Sequence, residues 1–391
     1  MLTNRIPVEE FHGRWSRVQE ICKERSLDAL VVWSKGGGPI DMSEDVVYLA
    51  NHYAVFPYCP DGPGVWSGLG AAAVVVPSTG EPTLIVGSDQ WRTDNVSITD
   101  VRVSPLLPDA IVEVLRDIRA TDRVGLVAGA GMTVEPYRRL LEVSPGIDWV
   151  PMDATVEQLR ARKSPFEFQL LRESCEVGNA AMLAMMKTAT RPGATEAEAA
   201  LAAYDVVLRA GGTIIDAAIA SGPNSHFYAY GQMPQWTTRT LEAGDIFNCD
   251  MYGSASEGYR WDFSRTTVTG SKPTTDQLEV IEGSIAAVEA GVSALRPGVT
   301  TGAVWDALHG VLVDRGIDIG YDIGGHSYGL AWESPWVAAG GEEVIEAGMA
   351  IAIETIAGRE GVGNAKFEHN VLVHADSIEL LSTSPSRPWL L

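Results

Sequence analysis

This chain predicts an α/β N-terminal domain followed by a larger α+β domain, on three observations. Up to about residue 150, short apolar runs alternate with stretches whose apolar residues recur at helical spacing. Beyond that point, two pairs of long helical patterns alternate with two groups of strand patterns. Those later strands hold acids and an imidazole among apolar residues, an unusual setting for charge. With 391 residues the chain is too long for one ordinary core and comfortable for two. The division is placed at 1–153 and 154–391.

The N-terminal elements follow from local pattern. Phe11, Trp15, Val18, Ile21 and Cys22 recur at helical spacing between charges over residues 8–26. Leu27-Asp28-Ala29-Leu30-Val31-Val32-Trp33 reads as a buried strand, and Val46-Val47-Tyr48-Leu49 follows. Ala71 to Val76 and Pro82 to Val86 read as strands about Ser78-Thr79-Gly80-Glu81, a hairpin signal. Residues 108–120 and 132–142 are expected to be helical, Arg123 to Val127 and Asp148 to Val150 extended. A helix over 154–162 leads to Lys163-Ser164-Pro165-Phe166-Glu167, where Ser164 fits an N-cap and Pro165 the first turn of a long helix. Helices are then expected at 165–190, 195–211, 274–296 and 301–315.

Composition excludes several partner classes. Lys and Arg total 29 against 51 acids, a formal net charge of −22. A nucleic-acid or anionic-membrane partner would require a basic surface, so neither is expected. The chain is 46% apolar and 20% charged, as soluble globular proteins are. Cys22, Cys59, Cys175 and Cys249 are scattered and read as reduced thiols of a cytoplasmic protein. The N-terminus Met-Leu-Thr-Asn-Arg-Ile-Pro has no apolar signal-peptide core, and no apolar run approaches the length of a membrane span.

The acid-bearing strands carry the chemistry. Ile246-Phe247 runs into Asp250, a Gly/Ser-rich segment turns, and a second strand carries Asp262 and runs out through Thr266-Thr267-Val268-Thr269. Two carboxylates in such strands repel each other and lose hydration unless they share a partner such as a divalent cation. For this pair alone, two solvated acids at strand ends is the alternative. Gly324-Gly325-His326-Ser327-Tyr328-Gly329 adds an imidazole between glycines. Glu354 sits inside an apolar strand pattern, with Ala350 and Ala352 on its face by alternation, and Glu368 sits inside another. Four acids and a histidine in such settings point to metal.

The order Asp250, Asp262, His326, Glu354, Glu368 resembles the five-ligand set of the pita-bread metallohydrolases, the family of prolidase, Xaa-Pro aminopeptidase, methionine aminopeptidase and creatinase. The N-terminal half resembles the creatinase-type N-terminal domain of the prolidase branch. The resemblance implies a pita-bread catalytic domain holding two divalent metal ions, and this donor set suits Mn, Co, Fe or Zn. It implies a metal-bridging hydroxide that cleaves a peptide or small-molecule amide C–N bond. Asp262 and Glu368 would bridge the ions, Asp250 would complete one, and His326 with Glu354 the other. Glu354 also resembles the family's general base. A homodimer is implied by the same branch.

The departures concern substrate. Proline-specific members carry a histidine seventeen residues before the first Asp; that count arrives at Met233, with His226 nearby. The family's second histidine, in His-Glu-x-Pro, is matched by Trp332-Glu333-Ser334-Pro335, with Trp332 in the histidine's place. The usual arginine two residues before the last Glu is Lys366. Tyr228, Trp332 and Trp336 belong to a set of aromatics near the ligands that suggests a pocket for an apolar, aromatic or cationic small molecule. His226, Tyr228, Met233, Trp332 and Glu333 are thus the candidate substrate-binding residues, for a short peptide or small molecule. A metal-dependent lyase, similar to the family's dimethylsulfoniopropionate lyase, and a non-catalytic pita-bread binding protein are the alternatives. Arg265 is expected at a salt bridge or sheet edge, and Cys249 in packing.

Overall fold

A computed structural model of the chain describes residues 5–35, 43–54, 56, 59, 62–127, 131–225 and 233–390. The chain divides into two compact units, Leu2–Arg160 and Ala161–Leu391, later than the 153/154 boundary expected.

In the first unit, α1 (Val8–Glu24) buries Phe11, Trp15, Val18 and Cys22, as their spacing requires. Val46-Val47-Tyr48-Leu49 lies in a short buried helix, α2 (Glu44–Ala50). One six-stranded sheet is built from β1 (Ala29–Lys35), β2 (Ala71–Pro77), β3 (Thr83–Val86), β4 (Asp100–Val103), β5 (Arg123–Val127) and β6 (Asp148–Pro151). Its order is β4-β3-β2-β1-β5-β6. The hairpin β2–β3 is antiparallel, and β5 runs parallel to both β1 and β6. Helices α3 (Leu107–Asp117) and α4 (Val134–Val143) deliver Ile111, Leu115 and Leu140 to the core around Val31 and Val75. A last helix, α5 (Thr155–Ala161), spans the division.

In the second unit, helix starts are written into the local sequence. Ser164 and Glu167 exchange reciprocal bonds at the start of α6 (Pro165–Ala189). Thr195 and Glu198 do so for α7 (Glu196–Arg209), and Thr274 and Gln277 for α8 (Thr275–Ala294). Each cap satisfies backbone N–H groups that the helix itself leaves unpaired. Thr300 caps α9 (Thr301–Arg315). Strands β7 (Thr213–Ser221), β8 (Ile246–Ser254) and β9 (Arg260–Val268) form an antiparallel sheet. A second sheet contains β10 (Asp318–Ile319), β11 (Ile323–Tyr328), β12 (Trp332–Ala338), β13 (Ala350–Arg359), β14 (Gly363–Val373) and β15 (Ile378–Leu380). Its order is β12-β11-β13-β14-β15, with β10 on β13.

Strand alternation sorts the two faces. Ile351 and Ile353 of β13 and Phe367 and Val371 of β14 join a core with Ile285 and Val288 of α8 and Val304 and Leu308 of α9. Trp261 of β9 packs on α6, where a Cβ added at Gly178 would meet the indole at 2.6 Å. Only glycine lets the helix approach so closely. Each such large apolar side chain contributes roughly 1.5–3 kcal/mol when fully buried. The opposite faces are left for the polar residues.

Side-chain bonds to the main chain stitch the two sheets together at β9 and β14. Asn370 Oδ1 accepts from Asp262 N at 2.9 Å. Thr266 Oγ1 donates to Lys366 O and accepts from Lys366 N, both at 2.9 Å. Arg265 is fully buried rather than at an edge, and among the described residues its guanidinium bonds carbonyls instead of a carboxylate. Its guanidinium donates to Glu368 O at 2.7 Å, Ser264 O at 2.8 Å and Ser384 O at 3.0 Å, over the Phe367 ring. Burial pushes its pKa down to about 9, which still leaves it charged at neutral pH.

On the surface, Arg172 of α6 grips Glu379 of β15 through two bonds of 2.7 and 2.8 Å. Arg172, against partial burial and helped by His374, holds the Glu379 carboxyl down to about 2. A depressed carboxyl contributes stability above its ordinary pKa and loses it as pH falls toward the folded value. E379Q should therefore lower neutral-pH stability by no more than about 1 kcal/mol, the pair being solvent-screened. In urea unfolding, its difference from wild type should shrink below pH 4.5.

Candidate metal centre

Register explains why the five distant residues face each other. Glu354 and Glu368 are direct partners on β13 and β14. Asp250 lies opposite Ser264, and Asp262 opposite Tyr252, so both aspartates share one face of the β8–β9 pair. His326 lies in β11, opposite Ala352 on the face that carries Glu354. Gly325 makes this possible: its φ is +146°. A Cβ there would lie 2.0 Å from Ala352 O.

The structure brings all five together in two groups that share Glu368. Asp262, His326 and Glu368 form one, and Asp250, Glu354 and Glu368 the other, donor atoms within each lying within 4.8 Å of one another. His326 Nε2 is 3.5 Å from Asp262 Oδ2 and 3.8 Å from Glu354 Oε1. His326 Nδ1 donates to Ser327 O at 2.9 Å, which fixes the tautomer and leaves the Nε2 lone pair toward the acids. By distance Glu354 groups with Asp250 and Glu368, while its Oε1 also lies 3.8 Å from His326 Nε2.

Burial and mutual repulsion set the electrostatics. Burial first, then Asp250 and Glu354, push the Asp262 carboxyl well above the usual range. Glu368 is raised in the same way by burial and Asp262, and Asp250 by burial despite Lys366. Glu354 moves the other way: burial opposes its ionisation, but the Lys366 ammonium, with the Tyr321 hydrogen bond, outweighs it. Burial lowers the His326 pKa, which keeps the ring a neutral donor.

These residues fit divalent metal. Four carboxylates and one oriented imidazole form a hard-oxygen set with one nitrogen. Ser264 donates to Glu368 Oε2 at 3.2 Å. Glu368 Oε1 is buried without a hydrogen-bond partner among the described residues. An orphaned buried carboxylate oxygen costs free energy that a cation would offset.

Two participants were missed or underweighted by pattern reading. Lys366 extends its ammonium into the second group, touching Glu354 and lying 3.2 Å from Asp250 Oδ2. Alternation would have found it, since Lys366 shares a strand face with Glu368. Tyr321, in the β10–β11 connection, donates to Glu354 at 2.5 Å and accepts from Lys366. A tyrosine in a short polar loop carries no such signal.

The substrate candidates separate. Trp332 stands at the rim, 49% exposed, and its indole N–H donates to Asp262 Oδ2 at 2.6 Å. Its ring lies 4.8 Å from Tyr252, and Trp336 lies 5.2 Å from His326. Glu333 is buried, with Oε1 2.5 Å from Lys163 Nζ. Met233 is 94% exposed. His226 and Tyr228 lie outside the described residues. A cavity of about 560 Å³ lined by Gly222, Asp318, Arg359 and Asn364 includes none of the five.

Comparison with known proteins agrees with this geometry. The description of metallopeptidase family M24 matches residues 169–375, more than half of the chain. The chain belongs to metallopeptidase family M24. Residues 14–162 match the creatinase/prolidase N-terminal domain. This member of the M24 family is 27% identical over 269 residues to the agropine synthesis cyclase of Rhizobium rhizogenes, covering 65% of this chain and 66% of that protein, just under two thirds. It is 26% identical over 282 residues to the Xaa-Pro dipeptidase of Pyrococcus furiosus, 70% of this chain and 76% of that one. Among solved structures, the Xaa-Pro dipeptidase of Bacillus anthracis superposes with a TM-score of 0.79 at 21% identity, covering 96% of this chain and 99% of that one. The dipeptidase PepE of Mycobacterium ulcerans does so at 0.77 and 23%, covering 98% of each. The fold is therefore the pita-bread fold behind a creatinase-type N-terminal domain, and the chain is a metallohydrolase by family.

Proposed function

We propose that this chain hydrolyses a C–N bond, in a small amide or a short peptide, at the Asp250, Asp262, His326, Glu354 and Glu368 cluster. The observation that carries this reading is the sharing of Glu368 between two buried donor groups. Two divalent ions are its fullest form, and when bound they would lower the pKa of a coordinated water toward neutrality. Glu354, held ionised by its neighbours, is placed to take the proton of the attacking water. His326 presents a fixed neutral nitrogen, and Trp332 with Trp336 forms an aromatic rim.

A non-peptide substrate is favoured by two observations. Trp332 stands where proline-specific members carry a histidine, and one relative is named as a synthesis cyclase instead of a peptidase. Turnover of Xaa-Pro dipeptides should accordingly be weak. W332H should raise it by at least about tenfold, the value of one positioned proton-transfer group being 10²–10⁴. Turnover by the wild type at the rate of an ordinary prolidase would refute the substrate assignment.

The test of the function is a metal-loaded screen of Xaa-Pro peptides, N-acyl aromatics, ectoine-like and sulfonium compounds in oxygen-18 water. Hydrolysis puts the label into product, whereas elimination by a lyase does not. Four free cysteines support a reducing, cytoplasmic setting. No helix of the described residues is long and apolar enough to cross a membrane. A homodimer completes this reading, and solution mass tests it.

A further inference from the structure

We infer that Lys366 competes with metal for the position formed by Asp250, Glu354 and Glu368, so that the centre takes its first ion at Asp262, His326 and Glu368 and a second only by displacing the lysine ammonium. The inference rests on the reading above only in that divalent ions enter this cluster.

Three observations carry it. First, the ammonium is already inside the second group. It lies 3.2 Å from Asp250 Oδ2, touches Glu354 Oε2 and is 2.5 Å from the Tyr321 hydroxyl. Two of that group's three acids therefore turn an oxygen to a cation that the chain itself supplies. Second, the lysine has little freedom to withdraw. Its main chain is held by Thr266 on both sides, and it is 1% exposed. Period-two alternation aims its side chain to the face that carries Glu368. Third, one oxygen of Asp262 is already engaged beside the first position. The Trp332 indole takes its Oδ2 at 2.6 Å, and His326 stands 3.5 Å from the same oxygen.

The two positions are therefore unequal. The first offers two acids and a neutral imidazole with no internal cation among them. At the second, an entering ion meets a like charge at contact range and must break the bonds Lys366 makes.

Metal titration of the chelated, dialysed protein tests the inference without turnover. Mn²⁺ should bind wild type with one tight ion per chain and a second at least about tenfold weaker, the scale on which neighbouring groups move metal affinity. At one equivalent, electron paramagnetic resonance should show an isolated ion. K366M removes the ammonium while leaving the main-chain bonds to Thr266, and should bind two ions of similar affinity with an exchange-coupled spectrum. K366Q is the second variant, for use if K366M does not fold, and should move the same way. Two equally tight ions in wild type would overturn the inference while leaving hydrolysis intact. Unequal ions that stay unequal in the variants would also overturn it. Absence of any bound ion would remove this inference and the metallohydrolase mechanism together. Tight binding as described, with no oxygen-18 incorporation from any compound, would count against the hydrolase alone.

Discussion

E354Q should lower kcat by about two to four orders of magnitude, the range for removal of a positioned general base. The amide keeps the size of the side chain and can still accept from Tyr321, so the strand pairing with Glu368 should survive. What it loses is the charge. Lys366, with the hydrogen bond from Tyr321, holds Glu354 ionised against the opposing effect of burial. The readout is kcat on whichever compound the screen identifies, with circular dichroism showing the fold retained. Turnover within a few-fold of wild type would remove Glu354 from proton transfer.

Chelation should lower the melting temperature, and the drop should grow with pH. Asp250, Asp262 and Glu368 all have folded pKa values raised above the ordinary carboxylate range. Without metal, such groups hold protons more tightly folded than unfolded. Their contribution is fully present below the ordinary value and is lost as pH rises through the raised one. Metal binds the deprotonated acids, so its stabilisation increases over the same window. At free ion 100 to 1,000 times Kd, binding adds about 3–4 kcal/mol. For a unit of this size that corresponds to roughly 6–16 °C. Scanning calorimetry at mildly acidic and mildly alkaline pH, with and without chelator, measures it. An equal loss at both would contradict the electrostatic account.

Much of the fold was legible where the determinants are local. Ser164 with Glu167, and Thr195 with Glu198, form their caps within one turn of chain, and the helices begin there. The acids were legible because period-two alternation around Ala350, Ala352 and Glu354 needs no knowledge of the partner strand. What escaped was set by contacts between distant strands. The strand around His326 was not legible because Gly324 and Gly325 interrupt the apolar pattern, and only the approach to Ala352 shows why glycine is there. β7 and β12 went unassigned, since β12 alternates tryptophans with Glu333 and Pro335 and reads as irregular. The partition of the acids depends on Trp332 and Lys366, side chains that meet Asp262 and Glu354 across 70 and 12 residues of chain.

Arg265 bears on how the centre comes apart. A buried guanidinium holding carbonyls of both β9 and β14 cannot let one strand leave without stranding a charge in the apolar interior. Local fraying of either strand is thus suppressed, and the amide protons of both should exchange in a single opening event with a common free energy. The halves of the centre would then be lost and regained as one unit, and its geometry would persist as long as the unit itself is folded.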